Sequence, residues 1–292
     1  MSRITNIIML TFILATGSFA EFTTTKLFEL DKKLRPLVES YQGKVGFCFL
    51  DLETNRELQV NGRWKFPAAS VAKVPVMATA YHLAEVGALD LDKKIVFKET
   101  DKLPGSGVLR WMPADREYSI RNLIRLMIVL SDNTATKMVV DQLGCKTINN
   151  YLNDKLSLRT TRVIDDTMLN EPTSEAANLT SPADMAYLIA MIQRKKGFGP
   201  ESSEQMLNYM KNQRYRWGLW RGVPRGVKIA NKTGNLDGVL NDVGVIYSPA
   251  GTYILSIFTY GIEKNKKARE LINQISSIVY QTYTNNSNSL NN

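Results

Sequence analysis

Residues 66–77 read FPAASVAKVPVM, and the fold turns on how they are read. Ser70 and Lys73 lie three positions apart, and Pro75 follows two residues later. Apolar residues continue at helical spacing beyond them, which predicts a helix over 69–86. Proline inside a helix removes a donor and crowds the preceding turn. Pro75 is therefore tolerated only if the helix starts near Ser70. That places Ser70 at the N-terminal end, with Lys73 one turn on and on the same face. The stretch is then either an ordinary buried helix start or a serine nucleophile with a lysine base. A lone S-x-x-K is commonplace in a Lys-rich chain, so the rest of the sequence has to decide.

Histidine narrows the chemistry first. The chain of 292 residues has one, His82. A zinc site needs three or four closely spaced His, Cys or acidic ligands, and none is apparent. A Ser-His-Asp triad needs histidine within hydrogen-bond reach of the serine. On one helix His82 would lie roughly 18 Å from Ser70, at 1.5 Å per residue. It reads as a structural or surface residue. Any serine chemistry here uses another base, with no metal and no cofactor.

Composition sets the compartment. Apolar residues make up 44% and charged residues 22%, enough for a sizeable core. Arg3, the apolar run IIMLTFILATG and the small-x-small triplet Ser18-Phe19-Ala20 read as a signal peptide over 1–20. The run is short for a membrane span, and no later segment is long enough for one. The expected product is exported, periplasmic or secreted. The formal charge is +9, but the positives are scattered and form no arm or stripe, so nucleic acid is not expected as a partner. Attraction to an anionic cell envelope fits as well. Cys48 and Cys145 are the only cysteines. Cys48 sits in an apolar strand-like run, where a buried free thiol is as plausible as a bridge.

Strand signals occupy both ends of the chain and helix signals the middle. Helices are predicted over 24–42, 120–130, 146–154, 182–195, 202–212 and 265–283, and another carries TATKMVVDQLG to Gly144. Strands are predicted over 44–52 and 56–61 as a hairpin, and over three segments after about residue 225 as a meander. The simplest assembly is an α/β (α+β) fold. One antiparallel sheet, flanked by the terminal helices, is built from residues 21–62 and 213–284. A helical subdomain over 63–212 is inserted, and 285–292 form a disordered tail. The cleft between the two units is the natural site. Residues 162–182 show no periodicity, and a loop that long inside a compact domain is usually functional.

Two further motifs bear on Ser70. SDN at 131–133 follows a strongly apolar helix, which would hold Ser131 and Asn133 rigidly, although Ser and Asp also serve as simple N-caps. NKTG at 231–234 ends a strand. Lys232 and Thr233 offer a cation and a hydroxyl suited to a carboxylate. Gly234 permits close approach of another backbone. Each motif alone has an ordinary structural explanation. Together, in the order S-x-x-K, S-D-N, K-T-G, they form a signature shared by class A β-lactamases and penicillin-binding proteins.

Over roughly residues 24–284 the chain resembles the class A β-lactamase-like serine hydrolases. SVAKVPV, LMIVLSDNTAT, LTSPADMA and NKTGNLDGVLNDVGVIYS carry the resemblance. It implies a five-stranded sheet, Ser70 as the acylated nucleophile, Lys73 as a base and Ser131 as a proton relay. It implies that Asn133 binds the substrate amide and that Lys232, Thr233 and Gly234 border the substrate carboxylate. The oxyanion hole would come from the backbone N–H groups of Ser70 and Asn235. The expected partner is a small β-lactam or a peptidoglycan stem peptide, and a monomer is expected.

One departure splits the functional reading. The family's deacylating glutamate precedes an asparagine by four residues. Aligning on Leu169-Asn170 puts Asp166 there, with Asn170 as a substrate-side residue. Asp165 and Glu171 are alternative bases. The arginine–aspartate pair that staples this loop in the family is also not apparent, because Asn178 stands where the aspartate is expected. Three functions follow: a β-lactamase with slow deacylation, a DD-peptidase or penicillin-binding protein, or an inert envelope-binding module. Arg214, Arg216, Arg221 and Arg225 are equal candidates to assist Lys232.

Overall fold

The computed structural model describes residues 22–164, 177–262 and 264–285. The chain opens with α1 (Thr24–Glu39), capped by the Thr23 side chain, which accepts from Lys26 N. The hairpin follows as β1 (Lys44–Asp51) and β2 (Glu57–Val60). A two-residue strand, β3 (Phe66–Pro67), leads into a 3-10 turn (Ala69–Ala72) and then α2 (Lys73–Glu85). The predicted helix over 69–86 is thus a tight turn followed by an α-helix. Pro75 is the third residue of α2, where its missing N–H falls among donors that have no intrahelical acceptor.

A short antiparallel pair, β4 (Lys94–Phe97) and β5 (Arg116–Ser119), was not legible in the sequence. Ser119 caps α3 (Ile120–Val129), and Asp132 caps α4 (Asn133–Leu143). α5 (Cys145–Asn150) continues as a π turn over Tyr151–Lys155. Then come β6 (Leu179–Thr180), α6 (Pro182–Gln193) and α7 (Pro200–Lys211). The predicted meander is β7 (Lys228–Leu236), β8 (Val239–Ser248) and β9 (Gly251–Tyr260), closed by α8 (Asn265–Thr284).

The main sheet is antiparallel, five-stranded and ordered β2-β1-β9-β8-β7. Its central strands are buried on both faces, and each face belongs to a different core. α1 and α8 cover one face, where Leu30, Leu34, Phe47, Phe49, Leu255 and Ile272 meet. The helices cover the other, where Phe66, Val74, Met77, Ile124, Met185, Ile189 and Phe258 pack together. Burial of each such side chain contributes about 1.5–3 kcal/mol. Both cores therefore grip the edge strand β7, which borders the 3-10 turn of Ser70. Cys48 is buried, and Cys48 and Cys145 are not bridged to each other. Among the described residues no helix is long and apolar enough to cross a membrane. The signal-peptide stretch 1–20, Asp165, Asp166, Asn170 and Glu171 lie outside the described residues, as does the tail beyond Asn285.

Candidate active site

The turn that carries Ser70 is strained and held from both sides. Ala69 has φ +46°, a left-handed conformation that a residue with a Cβ rarely adopts. Such a residue costs roughly 1–3 kcal/mol and persists only where its surroundings over-determine it. On one side β3 pairs with β6, Phe66 opposite Thr180, and Ala68 N–H donates to Asn178 O at 2.8 Å. On the other side the Asn241 amide donates to Pro67 O at 2.9 Å and to Ala68 O at 3.1 Å. β7 passes close by. A Cβ on Gly234 would lie 3.0 Å from Ala68 O and 3.1 Å from Ala69 Cβ, so glycine lets the strand approach the turn. Asn235 is the next residue of that strand. Its side-chain oxygen accepts from the Asn265 amide at 3.2 Å.

Lys73 is fully buried, and its ammonium does not bond to Ser70. It donates to Ser131 O at 2.7 Å, Asn133 Oδ1 at 2.8 Å and Ser131 Oγ at 3.2 Å. Ser70 Oγ makes no hydrogen bond among the described residues. Burial holds the Lys73 pKa well below the ordinary lysine value, and the charge of Lys232 adds to that, while Asp132 opposes it. A lysine in this position can exist as a free amine and accept a proton.

Ser131 is also in the left-handed region, at φ +53°, where α3 ends and α4 begins. Asp132 fixes that junction. One carboxylate oxygen caps α4 by accepting from Ala135 N at 2.9 Å. The other accepts from Val108 N at 2.6 Å and Leu109 N at 2.9 Å. The 103–113 loop is thereby pinned against the SDN turn. Leu103 N bonds to Thr134 Oγ1 at 3.0 Å and Asn133 N to Ser106 O at 3.0 Å, and the Asn133 amide donates to Pro104 O at 3.0 Å.

Lys232 reaches the same serine from β7. It donates to Ser131 Oγ at 3.0 Å and to Thr233 O at 2.7 Å. It is fully buried, and that burial lowers its pKa to about 7 against the attraction of Asp242. Asp242, on β8, is itself fully buried, and burial pushes its carboxyl up to about 7. It accepts from the Asn231 amide and from Leu219 N, each at 2.8 Å. Asn231 in turn accepts from Trp220 Nε1 at 3.0 Å. A Cβ on Gly218 would fall 2.2 Å from the Asp242 carboxylate, so glycine lets the 218–222 turn close over it.

The structure thus brings Lys73, Ser131, Asn133 and Lys232 together by direct bonds. Thr233, Gly234 and Asn235 follow along β7. Asp132, Asn241 and Asp242 hold the site and were not singled out from the sequence. Polar residues in an otherwise apolar strand, as in VLNDVGVIYS, are the signal that could have found the last two. Among the arginines, Arg216 stacks over Trp220 at 4.4 Å, Arg214 faces a groove beside α3 and Arg221 ends the 3-10 turn Leu219–Arg221. None of these three bonds to Lys232 or Thr233 among the described residues. His82 stacks on Tyr151 at 4.2 Å and takes no part in the site. Asn178, in the position expected for the loop's aspartate, accepts from Ile164 N at 2.8 Å.

This geometry has known relatives. Residues 29–283 match the sequence model of the Beta-lactamase enzyme family. A β-lactamase of Proteus vulgaris is 25% identical over 272 residues, spanning 88% of this chain and 97% of that protein. Among solved structures, PBP-A is 29% identical with a TM-score of 0.80, over 88% of this chain and 96% of that one. A β-lactamase from Sphaerobacter thermophilus is also 29% identical, with a TM-score of 0.80, over 87% and 97% of the two chains.

Proposed function

Since this chain belongs to the β-lactamase enzyme family, we propose that it is a serine β-lactam hydrolase working through an acyl-enzyme on Ser70. One observation carries the reading: two buried lysines, Lys73 and Lys232, share the Ser131 hydroxyl beside the strained turn of Ser70. Ser70 Oγ attacks the lactam carbonyl carbon and gives its proton to the neutral Lys73 amine. The oxyanion is taken by the backbone N–H groups of Ser70 and Asn235. As the C–N bond breaks, the ring nitrogen receives a proton from Ser131, which is resupplied from Lys73. Lys232 and Thr233 take the substrate carboxylate, with Gly234 beside them, and Asn133 takes the side-chain amide. Water then attacks the ester, with Asp166 accepting its proton. Aspartate is one methylene shorter than glutamate. A water it activates would sit about 1 Å or more from the best position, which would slow this step on the order of a hundredfold. The N-terminal segment supports export to the periplasm or medium, where hydrolysis would protect against β-lactams.

A second reading is a DD-peptidase or penicillin-binding protein that cleaves D-Ala-D-Ala peptide ends. The likeness to PBP-A favours it, since a PBP-A variant has been solved as an acyl-enzyme with penicillin G. Mass spectrometry of the intact protein with a penicillin over time separates the two. Rapid loss of the adduct with drug hydrolysis supports the first reading. A persistent adduct, with D-Ala released from a peptide, supports the second. No adduct on the wild-type protein overturns both.

A further inference from the structure

The positive charges are scattered along the sequence, but the fold gathers three of them around a cavity of about 500 Å³ at the β2 edge of the sheet. Cys48 and Leu50 of β1 stand opposite Gln59 and Glu57 of β2, so all four project from one face of the sheet. Ala183, Tyr187 and Met191 follow one another at i,i+4 spacing and present one face of α6. Residues 155–160, at the end of the π turn and just beyond it, close the third side. The buried lining is apolar: Cys48, Leu50, Leu156, Leu158 and Ala186. Burial pushes the Cys48 thiol well above its ordinary range, with the Glu57 charge adding to that, so it lines the cavity as a neutral group. Arg63, Lys155 and Arg159 are exposed in the lining, and none has an ion-pair partner among the described residues. Two carboxylates are also present, and both have partners. Asp184 accepts from Thr160 N at 3.0 Å and from Thr161 Oγ1 at 2.8 Å, and Glu57 accepts from Cys48 Sγ at 3.6 Å. Ser70, Lys73, Ser131, Asn133 and Lys232 are not among the lining residues.

We infer that this cavity is a second binding site, separate from the Ser70 centre, for a small organic anion with an apolar ring or short chain. It goes beyond the acyl-transfer reading and does not depend on it. The volume lies within the range of ligand sites, roughly 300–1,000 Å³, which are mostly apolar with a few placed polar groups. The buried lining takes the apolar body out of water. The exposed cations take the anionic head, Arg63 from the segment after β2 and Lys155 and Arg159 from the segment after α5. A cationic ligand would meet three positive groups and two carboxylates already engaged, so charge complementarity favours an anion. The walls are fixed before a ligand arrives. Ala183 N donates to Gly62 O at 2.8 Å, beside Arg63, and the Asp184 bonds tie α6 to Thr160 and Thr161. Binding to a preformed cavity loses little to ordering.

The test is fluorescence titration of the folded protein with two probes, anilinonaphthalene sulfonate and phenylnaphthylamine, which has the same rings without the sulfonate. The sulfonate probe is expected to saturate at one molecule per protein and to bind more tightly than the neutral one. The difference should narrow as salt is raised, because exposed charges are screened over about 8 Å at physiological ionic strength. Arg63→Glu and Arg159→Glu alter different walls, and each should weaken the sulfonate probe about tenfold while leaving the neutral probe unchanged. Arg159→Lys should retain most of the affinity. Lys228→Glu, on β7 at the opposite edge of the sheet, makes the same change in net charge and should have no effect. Unfolding cannot imitate the expected loss, since a loosened protein exposes apolar surface and binds more of the sulfonate probe. No saturable binding, equal affinity for the two probes, or an equal loss in Lys228→Glu overturns the inference. Penicillin acylation plays no part in the readout, so failure of the acyl-transfer reading leaves the titration interpretable by itself.

Discussion

Lys73 and Lys232 converge on one acceptor, the Ser131 hydroxyl, at 3.2 Å and 3.0 Å. Two buried ammonium groups around one oxygen repel each other, and each also loses hydration. The lower-cost arrangement keeps one of them neutral. Lys73 is the one pushed down by the other's charge, whereas Lys232 has Asp242 to support its proton. The pair is thus divided into a base and a cation. Replacing the shared hydroxyl, Ser131→Ala, should leave Ser70 competent for attack but remove delivery of the proton to the departing nitrogen. Acylation by penicillin is expected to slow by about 10²–10⁴-fold. An unchanged rate of adduct formation would remove Ser131 from the mechanism.

The same division predicts a bell-shaped pH profile. At low pH Lys73 becomes protonated and cannot accept from Ser70. At high pH Lys232 loses its proton, from about 7 upward in the free enzyme, and with it the charge that binds the substrate carboxylate. The fall of kcat/KM should therefore begin near pH 7 to 8, because kcat/KM reports the free enzyme. A bound carboxylate favours the charged lysine and raises its pKa, so the fall of kcat should lie at higher pH. A kcat/KM that stays flat to pH 10 would contradict this.

Asp242 sets where that alkaline limb falls. It raises the Lys232 pKa and anchors the 218–222 turn through Leu219 N. Asp242→Asn keeps the size but removes the charge, so Lys232 should deprotonate at a lower pH. The alkaline limb should therefore move to lower pH, because the charge that raises the Lys232 pKa is gone. A purely structural role would lower activity evenly at all pH values, and the measured profile separates the two.

Asp132 does comparable work for the other wall. Its carboxylate caps α4 and holds Val108 N and Leu109 N. Losing a cap costs about 1 kcal/mol, and each hydrogen bond to a charged group about 1.5–3 kcal/mol. Asp132→Ala is therefore expected to destabilise the protein by about 4–7 kcal/mol in denaturant unfolding. Penicillin acylation should fall as well, since Asn133 is tied through Ser106 and Pro104 to the loop that Asp132 anchors. A change below about 1 kcal/mol would show that the loop is held by other contacts.

The fold was legible where periodicity is strong. Leu30 and Leu34 mark α1, the run before Ser131 marks α3, and the last three strands alternate with tight turns. The short pairs β3–β6 and β4–β5 were not, because two to four residues carry no usable period. Pro75 correctly indicated a helix start near Ser70. It could not tell a 3-10 turn from the first α turn, because local sequence allows both and the Asn241 and Asn178 bonds select one. Lys73 was expected one turn from Ser70 on the same face, and its ammonium is bonded to Ser131 and Asn133. One turn of helix fixes only which face a side chain leaves from. Acceptors 58 and 60 residues away decide where its end goes.

Asp166 carries the last prediction. Its side chain lies outside the described residues, so the expectation comes from its place four residues before Asn170. If it activates the deacylating water, Asp166→Asn removes the base without changing size, and the penicillin adduct should accumulate to near one per protein and persist. Asp166→Glu restores the missing methylene and should shorten the adduct's lifetime, by up to about a hundredfold if water placement is what limits the wild type. The two substitutions therefore move the lifetime in opposite directions, while acylation through Ser70 and Lys73 is unaffected in both. Time-resolved mass spectrometry reads both steps. If neither variant alters the adduct's lifetime, the base is another residue such as Asp165 or Glu171, or the wild type does not hydrolyse its adduct and acts as a penicillin-binding protein.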